Sequence, residues 1–113
     1  MHELAITQSV VEAVTERTGT APVTVVMLRV GRLAGVVPDA MRFCFELVTA
    51  GTPLEGAELE IEEPEGRGRC RTCGAEFPLP DLVLLCDCGS ADVEILAGRE
   101  LAIASVVLAT PVP

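Results

Sequence analysis

Leu101-Ala102-Ile103-Ala104-Ser105-Val106-Val107-Leu108 decides the fold. The run carries no charge and is rich in β-branched residues, so it reads as a strand. A continuous apolar strand needs a layered core around it. The residues just before it cannot supply one: from the break at Pro64 and Gly66 to Gly98 the chain holds cysteines, turns and little apolar periodicity. The strand is therefore expected to return to a sheet laid down earlier, which makes the cysteine region an insertion between two strands. Beyond it, Thr110-Pro111-Val112-Pro113 cannot continue a ladder and reads as a loose tail.

The earlier sheet and its cover are legible upstream. Ile6, Val10 and Val14 recur at a spacing of four, widened by Leu4, Val11 and Ala13, with Glu12 and Glu16 opposite. That pattern predicts an amphipathic helix from Glu3 to Thr18, ended by Gly19. After Pro22, the run from Val23 to Val30 predicts a well-buried strand closed by Gly31. Pro38 suits the first turn of a second helix, in which Met41, Cys44, Phe45 and Val48 share a face before Gly51. Cys44 is expected to pack in the core as a small hydrophobe. From Ala57 the alternation is clean, with Ala57, Leu59 and Ile61 on one side and Glu58, Glu60 and Glu62 on the other: a strand with one wet face. The expected fold is α+β, with two helices on a small three-stranded sheet. Residues 1–66 plus 99–113 would form this domain, and residues 67–98 an inserted zinc-ribbon-like domain.

Composition narrows the function. At 113 residues the chain is one ordinary domain in length, with a modest core. Only 3% of residues are aromatic and the formal net charge is −9, which argues against stacking surfaces and against nucleic acid. No segment approaches the ~18 uninterrupted apolar residues of a membrane span, and the amino terminus lacks the order of a signal peptide, so a cytoplasmic location is expected. No phosphate loop, nucleophile elbow or histidine base beside a cysteine is present, and no enzymatic activity is expected. The acidic set Glu55, Glu58, Glu60, Glu62, Glu63 and Glu65 reads as a solvated face rather than a docking site.

Cys70-Arg71-Thr72-Cys73-Gly74 and Cys86-Asp87-Cys88-Gly89 form two cysteine pairs separated by a loop, the pattern of a closed four-thiolate zinc site. A glycine after each pair lets the chain turn sharply around a metal. Arg67, Arg69 and Arg71 either offset the negative charge of such a site or are ordinary surface charge. Iron and a redox dithiol are the competing uses of the cluster. With only Asp87 between them, Cys86 and Cys88 make a tighter knuckle than usual. Either Cys86 reaches the metal through an altered loop, which a soft thiolate donor favours, or the fourth ligand is water, Asp87 or Asp81.

The only histidine is His2, behind Met1 and before Glu3. The α-amine of a retained Met1, the amide nitrogen and imidazole of His2, and an amide nitrogen or carboxylate from Glu3 can close small chelate rings around one ion. Such nitrogen donors suit Ni(II) or Cu(II). The plainer alternative is a helix-leading tripeptide with no further role.

Met1-His2-Glu3-Leu4, Gly31-Arg32-Leu33-Ala34-Gly35-Val36-Val37-Pro38, Phe45-Glu46, Gly51-Thr52-Pro53-Leu54-Glu55-Gly56-Ala57, the cysteine pairs and Cys88-Gly89-Ser90 together resemble the HypA family of hydrogenase nickel incorporation proteins. The resemblance implies a nickel-binding α+β domain carrying a zinc domain, with Ni(II) as cargo and Zn(II) as a structural ion. It implies a nickel site at Met1, His2 and Glu3 and a zinc site at Cys70, Cys73, Cys86 and Cys88. It further implies delivery of nickel to the large-subunit precursor of nickel-iron hydrogenase, beside a HypB-type GTPase, with urease maturation proteins as further partners in some members. The one-residue spacer departs from the two residues typical of the family. A generic zinc-ribbon interaction module without nickel explains the cysteines but gives His2 no role. A rubredoxin-type iron carrier fits poorly with so few aromatics, and a disulfide oxidoreductase needs a thiolate pair that tight zinc would withhold.

Overall fold

The computed structural model describes residues 2–109, so the expectations for Met1 and for the tail from Thr110 lie outside the described residues. The elements run α1 (Glu3–Thr18), β1 (Val23–Val30), α2 (Pro38–Thr49), β2 (Glu58–Glu62), β3 (Gly66–Cys70), β4 (Glu76–Leu79), β5 (Val93–Ala97) and β6 (Leu101–Leu108). They build two three-stranded sheets, β2-β1-β6 and β4-β3-β5, an α+β architecture. The chain divides into two compact units: residues 1–28, 36–61 and 103–113, and residues 29–35 with 62–102.

In the first unit α1 and α2 pack against each other. The buried stripe of α1 is Glu3, Thr7, Val10, Val11 and Val14. It is rotated from the expected one: Ile6 is half-buried, and Leu4 and Ala13 face solvent. Burial of Thr7 is tolerated because its hydroxyl donates to the carbonyls of Glu3 and Leu4, both at 2.9 Å. In α2, Met41, Phe45 and Thr49 are buried at a spacing of four. Cys44, expected in the core, is half-buried at its margin.

β6 returns to the first sheet beside β1, as the apolar run requires. The backbone pairs Ala109 N–H with the Pro22 carbonyl at one end and Gly31 N–H with the Glu100 carbonyl at the other, so the strands are antiparallel. Its expected burial is not found. Only Val106 is half-buried, and the rest of β6 is exposed. β6 is an edge strand, so β1 flanks it on one side alone, and apolar composition here records pairing propensity rather than coverage.

The second unit holds a sheet that its residues scarcely announce. β3 reads Gly66-Arg67-Gly68-Arg69-Cys70, and the buried positions are Gly66, Gly68 and Cys70. The inward side of this strand is mostly bare backbone, because a Cβ on Gly68 would come within 2.8 Å of Leu79 Cδ1 and 2.9 Å of Val93 Cγ1. β3 pairs antiparallel with β4 and with β5. Leu33, Cys70, Leu79, Cys86 and Val93 form the small core, flanked by Phe77, Leu84 and Ile95. Residues 29–35 join this unit through backbone hydrogen bonds, Arg32 N–H to the Pro64 carbonyl at 3.0 Å and Leu33 N–H to the Gly98 carbonyl at 2.7 Å.

Candidate metal centre

Each cysteine pair sits on a tight turn closed by backbone hydrogen bonds. Cys70 ends β3; its N–H reaches the carbonyl of Ala75, five residues on, and its carbonyl accepts Gly74 N–H at 2.8 Å. The second turn is one residue shorter. Cys86 N–H reaches the carbonyl of Ser90, four residues on, and its carbonyl accepts Gly89 N–H at 2.8 Å. The missing spacer residue is thus absorbed where the turn closes. Gly74 at φ +80° and Gly89 at φ +92° take the left-handed conformation that both turns need.

The two turns are fastened to each other. The hydroxyls of Thr72 and Ser90 lie 2.8 Å apart, and Ser90 Oγ also accepts Asp92 N–H. Arg71 pairs with Asp92 at 2.9 Å, and its N–H donates to the Asp92 carbonyl. Arg69 pairs with Glu76 at 3.3 Å and Glu94 at 3.6 Å. Arg69 and Arg71 are thus engaged by carboxylates at the rim.

All four candidate sulfurs converge. Those of Cys70, Cys73, Cys86 and Cys88 lie within 4.8 Å of one another. Cys70 Sγ is 3.7 Å from Cys88 Sγ, and Cys73 Sγ is 3.6 Å from Cys86 Sγ. A tetrahedral zinc–thiolate site with bonds of about 2.3 Å has sulfur–sulfur edges of about 3.8 Å, which these two spacings match. Cys70 and Cys86 are buried, while Cys73 and Cys88 face outward.

Proton affinities within the cluster point the same way. The backbone N–H of Cys73, aided by that of Thr72 and by the thiols of Cys88 and Cys73, holds Cys70 down at about 6 against the effect of burial. The Cys88 N–H favours the Cys86 thiolate, yet burial and the neighbouring sulfurs push Cys86 up to about 12. For Cys88 the Ser90 N–H and the Cys86 thiol act downward, but burial and the sulfurs of Cys70 and Cys73 leave it raised. One thiol ionises readily and its crowded neighbours resist, until a cation compensates the charge. A soft dication is suited to supply that compensation.

At the other candidate site His2 is exposed and precedes α1. Its carbonyl accepts Ile6 N–H at 2.9 Å, and its side chain makes no capping hydrogen bond. Glu3 is buried at 4% exposure, and its Oε2 accepts the N–H of Val37 at 3.0 Å. Val37 is the N-cap of α2. A carboxylate at that position complements the positive end of the helix. The chain's amino-terminal group, then the Val37 N–H and the N–H of Glu3 itself, hold the Glu3 carboxyl down at about 2. This structural duty is invisible in the Met-His-Glu tripeptide. Its one sequence trace is that Glu3 and Thr7 extend the stripe of Val10, Val11 and Val14 at helical spacing. The Thr72–Ser90 and Arg71–Asp92 links were equally unmarked.

Comparison with known proteins agrees with the residue pattern. A family described as "Hydrogenase/urease nickel incorporation, metallochaperone, hypA" matches residues 1–108. The hydrogenase maturation factor HypA of Chlorobaculum tepidum is 51% identical over 112 residues, covering 96% of this chain and 99% of that protein. The protein of the same name from Geotalea uraniireducens is 52% identical over 102 residues, covering 89% and 93%. The solution structure of the Ni metallochaperone HypA from Helicobacter pylori shares the fold, with a TM-score of 0.66, 20% identity, and coverage of 96% of this chain and 97% of that one. The chain belongs to the HypA family of hydrogenase/urease nickel incorporation metallochaperones.

Proposed function

We propose that the chain carries Ni(II) at its amino terminus and delivers it to the large-subunit precursor of nickel-iron hydrogenase, beside a HypB-type GTPase, while Cys70, Cys73, Cys86 and Cys88 hold structural Zn(II). The observation that carries this reading is the exposed, uncapped side chain of the chain's only histidine, placed directly before α1. The amine of Met1 and the amide and imidazole nitrogens of His2 are the donors. Glu3 contributes its backbone amide nitrogen, because its carboxylate serves Val37.

A carrier must release its metal to another protein, and a shallow site at a chain terminus lets a partner's donors replace its ligands one at a time. The amine and the imidazole must lose protons to bind, so nickel affinity falls on acidification. The cysteines supply a separate, softer site, and four protein thiolates close it against exchange. His2→Ala, or an extension ahead of Met1, should abolish nickel binding while zinc stays at one per chain. An unchanged nickel isotherm in both variants would refute the assignment, and a parent chain that binds no nickel would leave the generic zinc-ribbon role.

A further inference from the structure

The segment that joins β4 to the second cysteine pair presents apolar side chains outward. Leu82, Val83 and Leu85 are 56%, 67% and 57% exposed, and of this run only Leu84 turns toward the small core of the second unit. Consecutive large apolar side chains left in water contribute nothing to folding and favour aggregation, so a patch of this kind marks an interaction surface.

The patch has depth as well as area. Phe77, Leu79, Val83, Leu85 and Cys86 line a cavity of about 600 Å³. Both ends of its wall are fixed. Asp81 Oδ1 accepts Val83 N–H at 2.9 Å and shapes the turn, and Cys86 anchors the far end in the cysteine cluster. Pro78 lies in β4 and Pro80 follows it. Without an N–H at Pro78, the free edge of β4 is a poor template for an added strand, so recognition falls to side chains.

Charge selects the occupant. The ionisable lining residues other than Cys86 are the carboxylates Glu76, Asp81 and Asp87, with no cation among them. Glu76 is partly offset by Arg69, Asp81 by the Val83 N–H, and Asp87 makes no hydrogen bond or ion pair among the described residues. We propose that the groove between β4 and residues 81–87 docks a partner segment in which apolar side chains fill the cavity and lysine or arginine side chains meet the acidic rim. Such pairing raises the rate of encounter and rejects acidic segments. Because Cys86 closes the wall, the groove keeps its shape only while the cysteine cluster is held together.

The test uses the full, zinc-loaded chain, ¹⁵N-labelled, titrated with a short synthetic peptide of alternating leucine and lysine. Chemical-shift changes are expected at Phe77, Leu82, Val83 and Leu85, with saturation. The double variant Val83→Ser/Leu85→Ser, altered only at exposed positions that line the cavity, should weaken binding by about tenfold or more, as loss of central apolar anchors does. Asp87→Asn should weaken it less and reduce its salt dependence. Zinc content is measured in each variant and should stay at one per chain, which separates a lost surface from a lost fold. A leucine/glutamate peptide that binds equally well, shifts confined to β2 and its glutamates, or unchanged affinity in the double variant would overturn the proposal. So would a self-associating species in sedimentation that the double variant abolishes, since the groove would then belong to a second copy of the chain.

Discussion

Replacing Cys86 with Ala tests whether the shortened second turn delivers a true fourth ligand. In the structure Cys86 Sγ stands 3.6 Å from Cys73 Sγ, inside a cluster whose sulfurs all lie within 4.8 Å. Structural zinc in small peptides binds with roughly 10–16 kcal/mol, so an equal share for each of four thiolates is about 3 kcal/mol. Losing one share weakens zinc by roughly a hundredfold, at about 1.4 kcal/mol per tenfold. The loss of packing against Leu33, Leu79 and Val93 adds to this, since Cys86 is only 5% exposed. Competition against a chromophoric chelator measures the affinity, and X-ray absorption at the zinc edge counts the sulfurs, which should fall from four to three. Asp87→Ala is the companion variant and should change affinity by less than about threefold, because Asp87 is exposed and takes no part in the sulfur cluster. Parental zinc affinity in the Cys86 variant, or a loss in the Asp87 variant as large, would refute the four-sulfur site and restore Asp87 as the ligand.

Two further outcomes follow from the first unit. Glu3→Ala, studied metal-free, removes the acceptor for Val37 N–H and should lower the unfolding midpoint near neutral pH. Because the Glu3 carboxyl is held at about 2 against an ordinary 4.5, its contribution is present above about 4.5 and is lost as pH falls through 2. The gap between parent and variant should therefore close over that window in acid titrations followed by circular dichroism, and a pH-independent gap would contradict the role. Phe45→Ala should destabilise by about 3–5 kcal/mol, as truncation of a fully packed ring does. Phe45 is 2% exposed, and a loss below about 1 kcal/mol in denaturant unfolding would place it outside the core.

The first sheet and both helices were legible because their signals are carried by side chains. Pro38 and the spacing of Met41 and Phe45 announce α2, and the β-branched run from Val23 announces β1. What escaped is carried by backbone. β3 hides its inward face in Gly66 and Gly68, which leave no apolar alternation, so the second sheet looked like turns. Residues 29–35 join that unit by N–H to carbonyl bonds that any side chain permits. β6 misled in the other direction, since its composition matches that of a buried strand while all its residues but the half-buried Val106 are exposed.

At the candidate sites, residue type and spacing were informative and side-chain duty was not. The two cysteine pairs were evident, yet the short spacer left the role of Cys86 open; in the structure its turn closes one residue earlier, on Ser90, and its sulfur lies in the cluster. Glu3 was a candidate ligand by adjacency to His2, and its carboxylate proves to be engaged by the start of α2, more than thirty residues away in sequence. Long-range polar contacts of this kind have no periodicity to reveal them.

Nickel-edge X-ray absorption on the untagged chain, loaded with one zinc and one nickel, reads the ligands of the cargo ion. Nickel should be surrounded by nitrogen donors, with an imidazole signature that vanishes in His2→Ala and no sulfur in its shell. Nickel–sulfur scattering in the parent chain would contradict that assignment and place the cargo on the cysteines.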